Sequence, residues 1–375
     1  MEVVCRVLFF EFFDCDKQKE EIMISSKKLL VYIGVPLIAL IVVVGTAIGL
    51  IFFYKNREAA SVDGRKKLVI DHDGGADDAF AITMSLLYEK YFDGPNVVGL
   101  TTTYGNVNLS QVVINSDRIL TLADRQDIPI YVGAHRSLIS GIVSDYYFGQ
   151  DGLGDNGYFA PAPIQPQEEP APVALLQLSK KYEGELIIVA VGPLTNLALA
   201  VSMDPEFIGR LAHLYVGAGH IQGKDHPSPE FNAQMDPEAY HIVANNSNVD
   251  KVTFVPFSQV YDNLNIALDW RINVMGKIQT PIMEALNSFE RISLPKEPYW
   301  TQLDPATTAI ALNNSLVDEF KYSRNDIILE GSERGINTND FSSANPNIRV
   351  AYSSKMEKYK KFLLDVYSAE LQTQR

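Results

Sequence analysis

The chain predicts an α/β fold: a mainly parallel central sheet flanked by helices. Three observations carry that expectation. From Lys67 onward, short aliphatic and β-branched runs alternate with stretches of helical spacing. Polar turn residues collect just after the apolar runs, where open α/β sheets bind ligands. A hydrophobic fraction of 46% supports a core large enough to cover both faces of such a sheet.

Residues 1–28 form a tail of mixed apolar and charged residues without a clear period. Leu29 to Tyr54 then runs without a charge, long enough to span a bilayer of ~30 Å, and reads as a transmembrane signal anchor. Residues 55–66 are a charged linker, and 67–375 form the body. Basic residues balance across the apolar run, with Arg6, Lys17, Lys19, Lys27 and Lys28 before it and Lys55, Arg57, Arg65, Lys66 and Lys67 after it. Charge therefore does not orient it. Sequons at Asn108, Asn245 and Asn313 lean towards a single-pass membrane protein whose body is extracellular or luminal.

Within the body, Val69 and Ile70 end the first strand, and Ala79 to Tyr88 has helical spacing. Strands follow at Val97–Thr102, Ile128–Val132, Leu186–Val191, Leu214–Val216 and Val252–Pro256. Helices are expected at Leu109–Leu122, Pro170–Tyr182 and from Thr195, and Asp236-Pro237-Glu238 marks another helix start. Gly149 to Pro166, rich in Gly, Pro and Asp, reads as a long loop.

A net charge of −14 and a pI near 4.9 argue against nucleic acid as a partner. The only cysteines, Cys5 and Cys15, precede the apolar run, so the body has neither a disulfide nor a thiol nucleophile.

The most informative stretch is Leu68 to Phe80, where Asp71, Asp73, Asp77 and Asp78 crowd one strand–turn–helix junction. So many carboxylates repel one another unless protons or a cation neutralise them. Oxygen ligands on a short turn suit a hard ion such as Ca²⁺ or Mg²⁺. The plainer reading is an acidic helix start, but the strand–turn–helix placement favours a metal site. Further polar turns follow later strands: Thr103-Tyr-Gly-Asn106, Gly192-Pro-Leu-Thr-Asn196, and Gly217-Ala-Gly-His220 leading to Glu230-Phe-Asn232.

Taken together, these turns resemble the inosine-uridine-preferring nucleoside hydrolases. The family's acidic turn has the form Asp-x-Asp-Pro-Gly-x-Asp-Asp, and here Asp71-His-Asp73-Gly-Gly-Ala-Asp77-Asp78 carries Gly74 in place of the proline. Gly105-Asn106, Gly192–Asn196, Glu230–Asn232, Asp236–Ala239 and Asp304-Pro305 follow in the family's order. Leu329–Gly335 looks like its C-terminal strand and turn. The resemblance implies a nucleoside hydrolase-like, Rossmann-like catalytic domain that hydrolyses the N-glycosidic bond of ribonucleosides. It implies Ca²⁺ held by Asp73, Asp78, the Thr195 carbonyl and Asp304, with Asp73 also the base that deprotonates water. It implies ribose contacts at Asp77, Asn106, Glu230 and Asn232, with the aromatic Phe231 beside the nucleoside. It also implies a homodimer or homotetramer.

Two further positions depart from the family. Leu303 stands where many members carry a histidine that assists the leaving base, and Lys224 stands where an asparagine contacts ribose. Asp225 or His226 are possible substitutes for that asparagine. His220 and Trp300 are further candidates for meeting the base, against the plainer readings of a capping histidine and a packing tryptophan. These departures motivate a competing reading, a catalytically weakened nucleoside-binding protein on a membrane.

Overall fold

A computed structural model of the chain describes residues 44–46, 64–155, 157, 165–221 and 226–373. The chain divides into two units, Met1–Val62 and Asp63–Arg375. Of the first, only the helical residues 44–46 are described, so the expected tail, the rest of the apolar run and most of the linker lie outside the described residues.

The second unit begins with β1 (Lys67–His72), α1 (Ala76–Tyr91), β2 (Asn96–Thr102), α2 (Leu109–Leu122) and β3 (Ile130–Val132). Next come α3 (Ala171–Lys181), β4 (Leu186–Ala190), α4 (Thr195–Met203), α5 (Phe207–Arg210) and β5 (His213–Gly217). The middle of the chain supplies α6 (Phe231–Met235), α7 (Pro237–Asn245), β6 (Val252–Val255) and α8 (Phe257–Asn263). A small pair, β7 (Ile266–Ala267) and β8 (Tyr299–Trp300), encloses α9 (Leu268–Asn273) and α10 (Pro281–Phe289). The chain then runs through α11 (Leu303–Leu312), β9 (Val317–Ile327), β10 (Asn337–Asp340), β11 (Ile348–Ser354), α12 (Met356–Tyr367) and α13 (Ala369–Thr373).

The main sheet has the order β10-β9-β11-β6-β5-β4-β1-β2-β3. Strands from β3 to β11 pair in parallel, while β9 is antiparallel to both β11 and β10. The expected mainly parallel sheet is therefore present, with an antiparallel margin. Its first six strands lie in the doubly wound order 3-2-1-4-5-6, so the chain reverses direction across the sheet between β1 and β4. Ligands in such folds sit in the crevice beyond the carboxyl ends of the strands at that reversal.

Local chemistry sets the boundaries. Pro129 has no N–H to give a neighbouring strand, and β3 starts one residue later than Pro129, at Ile130. Pro256 closes β6 and caps α8. Asp236 caps α7 by accepting the Ala239 N–H at 3.1 Å, with Pro237 at the first helical position. The run Leu329–Gly335 is no strand. It forms the connection from β9 to β10 around a 3₁₀ turn, Gly331–Glu333, and returns through Gly335 at φ 89°.

β1 is buried along its whole length. α1 is also buried from Ala76 to Leu87, which explains why its sequence from Ala79 to Leu87 carries no charge. Phe80 of α1 meets Trp300 and Tyr367 edge-on, at 5.4 and 5.8 Å between ring centres. The Tyr367 hydroxyl donates to the Phe80 carbonyl at 2.7 Å, tying α12 to α1.

Candidate metal centre and substrate cavity

The acidic turn leaves β1 at the sheet's reversal and enters α1. Gly74 holds φ at 82°, an angle a proline ring cannot adopt, so a left-handed glycine makes the turn here. Asp78 secures the turn from the first turn of α1. Its Oδ2 accepts the Gly75 N–H at 2.6 Å and its Oδ1 accepts the Asp73 N–H at 3.2 Å. Asn115 of α2 donates to the Gly74 carbonyl at 2.7 Å.

The four acids have different surroundings. Asp71 lies in β1, where its Oδ1 accepts from Thr101 at 2.6 Å and Asn196 at 2.8 Å, so it links the ends of β2 and α4. Asp73 accepts twice from Asn106, from the side-chain amide at 2.7 Å and the backbone N–H at 2.8 Å. Asn106 can come this close because Gly105 precedes it: a Cβ there would lie 1.9 Å from Asp73 Oδ2. Asp77 and Asp78 converge with Asp304 of α11, one oxygen from each lying within 4.8 Å of the others, all buried. The structure thus brings Asp78 and Asp304 together and adds Asp77, while Asp73 stands beside them with both oxygens engaged by Asn106.

Electrostatics follow from that crowding. Burial, opposed by the bonds from Thr101 and Asn196, raises the Asp71 carboxyl to about 7. Burial raises Asp73 to about 6. Burial, followed by mutual repulsion with neighbouring acids, holds Asp77, Asp78 and Asp304 well above the usual carboxylate range. His72 cannot relieve the excess charge: fully buried, it is driven down to about 3 and stays neutral, 3.9 Å from Asp78. Asp304 Oδ2 is buried without a hydrogen-bond partner. An orphaned carboxylate oxygen among converging, unneutralised acids fits a hard divalent cation.

Thr195 opens α4 and is buried, its hydroxyl donating to Asp236 Oδ2 at 2.7 Å. Asp236 also accepts the Leu138 N–H at 3.0 Å, so this network anchors α4 to the start of α7. Glu230 spends both oxygens on backbone N–H groups, of Asn232 at 3.0 Å, Gly219 at 2.8 Å and Ala233 at 3.0 Å. Burial still raises it to about 7. Asn232 donates both amide hydrogens, to the carbonyls of Val191 at 3.1 Å and Gly217 at 3.0 Å, tying together the ends of β4 and β5.

A cavity of about 390 Å³ opens over these groups. Asp77, Asn106, Glu230, Phe231, Asn232 and Asp304 line it, as do His220 and Leu303. Sequence reasoning missed Tyr147, Phe148, Phe257 and Tyr261, which complete an aromatic rim. Phe257 follows β6, so the strand-end rule offered a signal for it. Tyr147 and Phe148 lie in the long excursion after β3 and offered none. Trp300 is 1% exposed and packs between Phe80 and the Arg271 guanidinium, its indole N–H bonded to Glu290, so the packing reading holds. His226 stacks on His220, and Lys224 and Asp225 lie outside the described residues.

A doubly wound sheet with carboxylates converging at its reversal defines an α/β fold with a candidate cation site. Within that class, the chain belongs to the inosine-uridine preferring nucleoside hydrolase family, whose model matches residues 68–361. It is 39% identical over 188 residues to a probable uridine nucleosidase 2 of Arabidopsis thaliana, covering 49% of this chain and 57% of that protein. The chain thus spans little more than half the length of that relative. It is 27% identical over 302 residues to the inosine-uridine preferring nucleoside hydrolase of Leishmania major, covering 78% of this chain and 93% of that protein. A plant nucleoside hydrolase, the PpNRh1 enzyme, superposes with a TM-score of 0.73 at 27% identity, over 81% of this chain and 99% of its own.

These findings correct the single-pass membrane placement, with its extracellular or luminal body, read from 29–54. The plant structure is matched almost end to end by four-fifths of this chain. The family match starts beyond the apolar run, and no helix among the described residues is long and apolar enough to cross a membrane.

Proposed function

We propose that the chain is a divalent-cation-dependent nucleoside N-ribohydrolase, with Ca²⁺ the expected ion, releasing ribose and free base from ribonucleosides. The observation that carries this reading is the convergence of Asp77, Asp78 and Asp304 beneath a cavity also lined by Asn106, Glu230 and Asn232. Asp77, Asp78 and Asp304 would hold the cation, with Asp73 beside them and the Thr195 carbonyl as a further ligand. When bound, the cation supplies positive charge that acidifies water and orients the ribose hydroxyls.

The remaining steps belong to the protein's own groups. Asp73, held by two bonds from Asn106, takes a proton from the attacking water as its oxygen bonds to the anomeric carbon. The C–N bond breaks, its electron pair leaves with the base, and the base gains a proton. Positive charge growing on the ribosyl ring is stabilised by the Glu230 carboxylate and by the Asn232 amide oxygen, the atom left for a ligand once both amide hydrogens are used. Phe231 flanks the nucleoside from the cavity wall.

The test is ribose release from inosine and uridine by the purified protein, with and without chelator. Release that a chelator abolishes and Ca²⁺ restores is the expected result. Leu303 lines the cavity beside Asp304 with no proton to offer, which favours a second reading, a nucleoside-binding protein with weakened catalysis. Calorimetric binding of nucleoside with no ribose release at any pH would establish that reading in place of the first.

A further inference from the structure

The base-facing part of the cavity needs a group that can meet a polar heterocycle, and Leu303 cannot. No lysine or arginine is among the described lining residues, and His220 is the one imidazole there. Its backbone is held rigidly at the end of β5: the N–H donates to Asn337 at 2.8 Å, and the carbonyl accepts from Asn337 at 2.8 Å and Asn339 at 3.0 Å. The ring is held as well, stacked on His226 at 4.9 Å with Phe257 edge-on at 5.9 Å. Its Nδ1 is buried without a hydrogen-bond partner.

We propose that His220 is the hydrogen-bond donor to the nucleobase in this cavity. The proposal rests on the nucleosidase reading above and deepens it. Burial, aided by the neighbouring His226, lowers the ring to about 4, so it is neutral at physiological pH. A neutral imidazole carries one N–H and one lone pair. An orphaned buried N–H is rarer than an orphaned lone pair, which places the hydrogen on Nε2 and leaves Nδ1 as the unbonded acceptor. A neutral ring does not surrender that proton. It polarises a carbonyl or ring nitrogen of the base as the glycosidic bond breaks, and the proton the base finally takes comes from solvent. The stack on His226 and Phe257 fixes the ring plane, so the donor is in place before substrate arrives.

The experiment compares two substrates. One is uridine or inosine, whose base gains from a hydrogen bond as it departs. The other is a 4-nitrophenyl riboside, whose weakly basic leaving group departs unaided. His220→Ala is expected to lower kcat on the nucleosides about 10²-fold, the cost of losing one preorganised donor. It should change kcat on the nitrophenyl riboside by less than about threefold, because that leaving group needs no assistance. His220→Gln, which retains an N–H, should recover part of the nucleoside rate. Equal losses on both substrates would make His220 a packing residue, and unchanged nucleoside turnover would remove it from the site; either result overturns the proposal. If the wild-type protein releases ribose from neither substrate, the nucleosidase reading fails first and takes this inference with it.

Discussion

The two walls of the cavity are built on opposite plans. The acids behind one wall come chiefly from one contiguous turn, where Asp71, Asp73, Asp77 and Asp78 each accept hydrogen bonds from backbone, amide or hydroxyl groups and Asp77 reaches the cavity itself. Another part of the lining gathers His220 from the turn after β5 and Phe257 and Tyr261 from α8, their rings in contact with His220 or His226. Chemistry demanding fixed charges is thus written into one rigid stretch of backbone. On the proposed reading, recognition of the base falls to side chains beyond that turn.

That contrast can be broken at its strongest point first. Asp73→Ala should lower kcat at least about 10³-fold, since it removes the proposed base and the partner of Asn106. Turnover within about tenfold of wild type would sink the proposed mechanism. Gly105→Ala should be next: its Cβ would collide with Asp73 Oδ2, and overpacking of this kind costs about 1–3 kcal/mol. Thermal melts and kcat together would show whether Asn106 is pushed off Asp73.

The cluster also predicts a pH signature. Folding raises Asp71 to about 7 and Asp73 to about 6, with Asp77, Asp78 and Asp304 also raised. Between the unfolded carboxylate range, near pH 4, and about 7, the folded cation-free protein therefore binds more protons than the unfolded chain, and these groups make stability fall as pH rises. His72, His213 and His220 are held neutral in the fold and act in the opposite direction, but they do so with or without cation. The rise in Tm on adding Ca²⁺ should therefore widen from pH 5 to pH 7, because the ion replaces the protons the acids would otherwise keep. A Ca²⁺ effect that stays constant over that range would contradict a carboxylate site. The smallest effect on activity belongs away from both walls. Trp300→Phe should leave kcat/KM unchanged within about threefold while costing about 1–3 kcal/mol, because it strands a buried Glu290 oxygen.

How much could be read from the sequence follows the same division. The parallel strands and the acidic turn were legible because their signals are local: apolar runs of strand length, then polar residues at their carboxyl ends. Asp78 and Asp304 were placed by motif, yet the convergence of Asp77 with them depends on how α11 docks against α1, which no local pattern encodes. β9 escaped notice because this antiparallel strand, paired between β10 and β11, is exposed along much of its length, and Val317-Asp-Glu-Phe-Lys-Tyr-Ser-Arg-Asn-Asp-Ile327 carries charges where a fully buried strand carries aliphatics. Trp300 could not be told from a base-stacking residue until its burial against Phe80 and Arg271 was seen.

Asp304 has a further consequence, in the order in which the chain is made. The acidic turn leaves the ribosome early and Asp304 late, with most of the sheet synthesised between them. A nascent chain therefore carries the repelling carboxylates of β1 and α1 well before α11 can supply the oxygen that completes the set. On the proposed reading, cation capture would come late in synthesis, and an ion that binds only the completed set would report that α11 has docked.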